Sequence, residues 1–150
     1  MDALTSILPQ GEGLLPKWLL FVSIVSVANS IQAYTTLKAT QKVYLGPANS
    51  PRTPNATPSG INSPVTPLSA RTFGTWTFIT SIVRLYAAYY TSNPQVYQLA
   101  FATYAVAFGH FVSEWLVFGT ARLGAGLAGP LVVSTGSLVW MWSQWGFYIG

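Results

Sequence analysis

The chain has 150 residues, a net charge of +4 and no cysteine; 51% of it is apolar, 15% aromatic and only 7% charged. An ordinary soluble domain is about 25% charged, so this composition suits a chain covered by lipid rather than by water. The seven basic residues form no cluster and give no nucleic-acid signal; one histidine and three acids are thin material for a metal centre, and the lack of thiols excludes disulfides. No cofactor site is expected.

Residues 1–16 read as a short, polar, irregular leader punctuated by Pro9, Gly11, Gly13 and Pro16. It has no charged n-region and no small-residue cleavage site, so the first span is expected to remain as an uncleaved anchor. That span covers about 18–37, where Trp18 to Leu37 carries no charge and Lys17, Lys38 and Lys42 bracket it. Its length is about one bilayer crossing. Ser23, Ser26, Ser30 and Ala33 fall on one stripe at helical spacing, with Asn29 and Gln32 beside it. Such a stripe lets helices approach closely and hydrogen-bond, so its expected role is packing.

Residues 38–70 change character. Six prolines (47, 51, 54, 58, 64 and 67) sit among Ser, Thr, Asn and Gly, and this composition buries too little apolar surface to fold alone. A disordered cytosolic loop is expected over about 43–66. Its five Ser/Thr-Pro pairs, at 50, 53, 57, 63 and 66, suit proline-directed phosphorylation, although a plain flexible linker explains them as well. The sequon at Asn55 is followed by Pro58 and falls on the cytosolic side, where it carries no glycan.

Three further spans follow, over about 72–91, 95–118 and 130–148. Thr77, Thr80, Ser81, Arg84 and Ala88 give the second span a polar, small face. Thr91-Ser92-Asn93-Pro94 turns the chain. In the third span Ala102, Ala105, Gly109 and Ser113 form a small-residue stripe, read as a packing face, and His110 and Glu114 share a face at a spacing of four. Trp140, Trp142, Trp145, Phe147 and Tyr148 crowd the end of the fourth span, as at a membrane interface. The fold class is thus an all-α membrane protein, one integral membrane domain of four transmembrane helices in a bundle. Lys38, Lys42, Arg52, Arg71 and Arg122 lie on one side and only Lys17 on the other. The positive-inside rule then makes the long loop cytosolic and both termini lumenal.

Ionisable groups inside such spans mark functional or assembly sites. Folding the 71–122 hairpin about residue 93 sets Arg84 level with Ala102, and Glu114 level with Thr72. Arg84 and Glu114 are then out of register by about 18 Å. Two groupings are expected. Near the cytosolic edge, Glu114 meets Arg71, with Trp76, His110 and Gln32 close by. Deeper, Arg84 meets hydroxyls and amides: Ser23 and Ser26 of the first span, Ser143 and Gln144 of the fourth. The plainer role of both is to lock the bundle. The catalytic alternative is a membrane sterol or lipid isomerase, or a sterol-binding protein, in which Glu114 and His110 move a proton beside an aromatic wall.

The segments 67–76 (PLSARTFGTW), 84–86 (RLY), 110–115 (HFVSEW), 118–120 (FGT) and 130–135 (PLVVST) resemble the ergosterol biosynthetic protein 28 family along nearly the whole chain, apart from an added stretch at about 43–64. The resemblance implies an endoplasmic-reticulum membrane protein of ergosterol biosynthesis. It implies a non-catalytic scaffold that gathers the sterol C-4 demethylation enzymes: a methyl oxidase, a dehydrogenase/decarboxylase and a 3-keto reductase. Contact with other sterol-pathway enzymes and self-association into a homo-oligomer belong to the same expectation. It supplies no catalytic residue; Arg71, Trp76, Arg84, His110 and Glu114, with Asn29, Gln32 and Gln144, stand as structural or interaction candidates.

Overall fold

A computed structural model describes residues 3–47 and 63–150. Its elements are helices: α1 (Ala3–Ile7), α2 (Leu15–Thr35), α3 (Leu37–Val43), α4 (Pro67–Tyr89), α5 (Pro94–Leu116), α6 (Ala125–Ser143) and α7 (Trp145–Ile149). No strand occurs among the described residues.

Local chemistry sets the boundaries. Thr36 is extended (φ −149°, ψ 140°) and ends α2; its hydroxyl accepts from the Lys38 amide at 3.2 Å and starts α3. Thr66 and Ser69 form a reciprocal capping box at the start of α4, with Pro67 at the first helical position. The Asn93 side chain accepts from the Val96 amide at 3.0 Å and Pro94 follows, so α5 starts where the turn ends. After α5, Gly119 adopts φ +66°, a left-handed turn that favours glycine.

Two expectations about segments change. The leader contains a helical turn, α1. Residues 38–43 and 67–70, read from composition as disordered or extended, are helical: the prolines begin only at Pro47, and Pro67 initiates a helix rather than breaking one. Of the expected loop, 48–62 lies outside the described residues, as do its sequon and the Ser50, Thr53 and Thr57 sites. Its two ends are tied down. The Ser63 hydroxyl donates to the Tyr44 carbonyl at 2.6 Å, and the Gly46 amide donates to the Thr120 carbonyl at 2.8 Å.

The four long helices alternate in direction. Ser23 meets Ser81, Ser30 meets Thr77, and Tyr34 meets Thr75, so α2 and α4 run antiparallel in close contact. A Cβ on Gly74 would stand 2.9 Å from the Tyr34 ring and 3.1 Å from Ala33, so a larger residue there would require Tyr34 to move. The stripe read from α2 is the face that packs here. The stripe read from α5 is not. Ala102, Ala105 and Gly109 point outward, and Tyr97, Ala100, Tyr104, Ala107 and Phe111 are buried instead. Three aromatic rings, Tyr97, Tyr104 and Phe111, thus point inward from α5, with Ala100 and Ala107 between them. The core has two halves, one around Leu19, Tyr97, Tyr104 and Met141 and the other around Phe73, Ala107, Phe111 and Leu127.

α2 and α6, of 21 and 19 residues, are long and apolar enough to cross a membrane, and only 28% and 22% of their apolar windows are buried. The core helix of a soluble protein would be mostly buried. Here Phe21, Ile24, Ile31, Val132 and Val139 all face outward. Exposed apolar faces of this extent suit lipid contact. Around the bundle α2 packs on α4, α4 on α5 and α5 on α6; α6 meets α2 at one end, where the Trp18 indole donates to the Ser137 hydroxyl at 2.9 Å, and a seam separates them over the rest. That seam stays open as a groove. Pro130 lies inside α6 beside it, where it cannot donate to the carbonyl four residues back.

Candidate functional site

Two polar sites lie along the bundle. The first is a cavity of about 450 Å³ beneath the loop root, lined among others by Tyr44, Val65, Trp76, His110, Glu114 and Thr120. The Tyr44 phenol and Nε2 of His110 share a hydrogen bond of 2.6 Å. Burial, and then the nearby Glu114 carboxylate, push the Tyr44 phenol up. The phenol therefore keeps its proton, and either group can donate in this bond according to the imidazole tautomer. Trp76 stands edge-on to His110 with ring centroids 5.6 Å apart, and Phe73 stands edge-on to Trp76 at 5.2 Å. The antiparallel α4–α5 pairing brings Trp76 and His110 to one level, as the hairpin registration requires.

The Glu114 carboxylate accepts from the Thr120 hydroxyl, in the turn that follows its own helix. Arg71 is exposed, and among the described residues no ion pair joins it to Glu114. The reason is angular. Ser69, Thr72, Phe73 and Trp76 line the cavity, and at 100° per residue Arg71 projects from the other side of α4.

The second site surrounds Arg84, which is 6% exposed. Its Nε donates to the Thr103 hydroxyl at 3.2 Å, Nη1 to the Ser26 hydroxyl at 3.3 Å and Nη2 to the Thr103 carbonyl at 3.5 Å. The guanidinium carbon lies 4.0 Å from the centre of the Tyr104 ring. Of the expected neighbours, Ser26 is a partner; Ser23, whose hydroxyl donates to the Ser81 carbonyl, and Ser143 and Gln144 are not. α6 begins at Ala125 rather than at Pro130, which brings Val133 and Ser134 to the level of Arg84. Gln144 instead marks the break between α6 and α7, and Ser143 bonds to the Trp140 carbonyl at 2.8 Å. Asn29 and Gln32 line the same groove as Arg84, a space of about 560 Å³ with Lys38 and Lys42 at the α3 end.

Sequence reasoning missed Tyr44, Thr103, Tyr104 and Thr120. Tyr97, Ala100, Tyr104, Ala107 and Phe111 recur at spacings of three and four, a signal that marks the buried face of α5. Tyr44 and Thr120 carry no periodic signal, because both lie at turns.

The chain is an all-helical bundle among the described residues, with two helices long and apolar enough to cross a membrane and with outward apolar faces, which is the class of a membrane protein by length and composition. The particular family is set by similarity. The model of the Erg28 like protein family matches residues 15–139, and the chain belongs to that family. It is 54% identical over 145 residues to ergosterol biosynthetic protein 28 of Candida albicans, covering 96% of this chain and 95% of that one. It is 51% identical over 147 residues to the Saccharomyces cerevisiae protein of the same name, covering 97% and 90%. The human ergosterol biosynthetic protein 28 homolog is 35% identical over 130 residues, covering 85% and 81%. No solved structure matches the chain.

Proposed function

We propose that the chain is a non-catalytic membrane scaffold of ergosterol biosynthesis that holds the sterol C-4 demethylation enzymes together. It lies in the endoplasmic-reticulum membrane as four spans, formed by α2, α4, α5 and α6. The loop after α3 is cytosolic and both termini are lumenal. The pathway rests on the relatives' names and the high identity along the chain. The tethering role rests on one structural observation, the outward stripe of α5. Ala102, Ala105 and Gly109 are exposed, and a Cβ on Gly109 would meet nothing within 4 Å. In lipid such a stripe admits a second helix at close range, whether from an enzyme or from another copy. Holding sequential enzymes together raises the local concentration of each intermediate.

The test is affinity purification from membranes with mass-spectrometric identification of partners. The scaffold reading expects the three C-4 demethylation enzymes to be recovered. It also expects 4-methyl sterol intermediates to accumulate on deletion, while each enzyme assayed alone stays active. Conversion of a sterol by the purified chain alone would favour the isomerase reading, which draws on His110 and Glu114 lining one cavity.

A further inference from the structure

Of the described cations, Lys17, Lys38, Lys42 and Arg71 are exposed and Arg122 is partly so; Arg84 alone is buried. Neither described acid, Glu12 or Glu114, pairs with it. A guanidinium has five N–H donors, and three of Arg84's are engaged, all by neutral oxygens. The remaining two have no acceptor among the described residues. The Tyr104 ring at 4.0 Å offsets part of the charge, but no anion among the described residues balances it, which is costly in a low-dielectric interior.

This cation lines the open groove between α2 and α6. The groove runs from Phe73 to Arg84 along α4, which is 11 residues or about 16 Å. Its walls are Phe21, Val22, Val25, Phe111, Pro130 and Val133. The space of about 560 Å³ lies within the usual range for a small-molecule site. The slot is mainly apolar, with the buried Arg84 at one end and the exposed Lys38 and Lys42 at the other, which makes it complementary to an amphipathic anion. A guanidinium's planar fork matches a carboxylate in particular.

We propose that this groove is a binding site for a lipid-sized carboxylic acid, its carboxylate on Arg84 and its apolar body along α2 and α6. The site is separate from the tethering face on α5 and stands independently of the scaffold reading.

The probes are a diazirine-tagged long-chain fatty acid and the matching primary alcohol, applied to the full chain in detergent micelles, with labelled peptides identified by mass spectrometry. The expected result is acid labelling on α2 and α6 around Val25 and Val133, about tenfold above the alcohol. Arg84→Gln should bring the acid down to the level of the alcohol, and Arg84→Lys should keep part of the preference. Should Arg84→Gln fail to fold, Gly129→Phe is the second variant. A Cβ at Gly129 meets nothing within 4 Å and the residue lines the groove, so the ring should block labelling and leave the thermal unfolding temperature unchanged. Equal labelling by acid and alcohol, labelling that persists in Arg84→Gln or Gly129→Phe, or no groove labelling by either probe would each overturn the proposal. The first would indicate a neutral lipid, and the last a groove closed by protein.

Discussion

At Tyr44, one phenol joins the loop root to the bundle through His110. Tyr44→Phe removes that hydrogen bond and should cost about 1 kcal/mol, read as a lower unfolding temperature in detergent. The phenol's pKa is raised on folding by burial and by Glu114. The unfolded chain therefore loses this proton first, and stability falls as pH rises past the ordinary phenol value of about 10. Thermal unfolding at pH 9 and pH 11 should show a larger alkaline loss for the native chain than for Tyr44→Phe. The ionisable residues themselves were legible in the sequence, because charge inside an apolar run stands out. Their partners were not, since Tyr44 and Thr120 are brought in by turns that no periodicity announces.

At the scale of elements, close approach depends on single glycines. A Cβ on Gly126 would collide with the Lys42 carbonyl and stand 2.9 Å from the Val43 amide. These are backbone atoms and cannot swing aside. Gly126→Ala should push α6 from α3 and destabilise the chain by about 1–3 kcal/mol, measured by thermal unfolding against Gly136→Ala, where nothing lies within 4 Å. On α5 the expectation is the reverse. Gly109→Leu should leave the unfolding temperature unchanged and abolish recovery of partners from membranes. The existence of these helices was readable from apolar length and capping residues such as Asn93. Which face of α5 is buried was not. Small residues and aromatic residues both recur at helical spacing there, and periodicity alone does not choose between them.

For the whole molecule, the long loop is closed at its base by the Ser63–Tyr44 and Gly46–Thr120 hydrogen bonds. Loop length changes stability slowly, about 0.6 kcal/mol per doubling. Replacing residues 48–62 by a short Gly/Ser linker should therefore leave the chain folded, with an unfolding temperature close to that of the native chain. The alternation of α4 and α5 was legible from one turn, and it correctly set Trp76 beside His110. The level of α6 was not, because the Gly-rich stretch before Pro130 reads as turn although helix already runs through it.

Pro130 gives this architecture an uneven stiffness. It deletes one rung from α6, in the half of that helix that lines the open groove. The other three long helices carry no internal proline beyond their first turn. A missing rung makes that wall the easiest of the four to bend, so a change in the width of the groove would cost least there. A molecule entering the groove from the bilayer would meet that side, away from the outward stripe of α5.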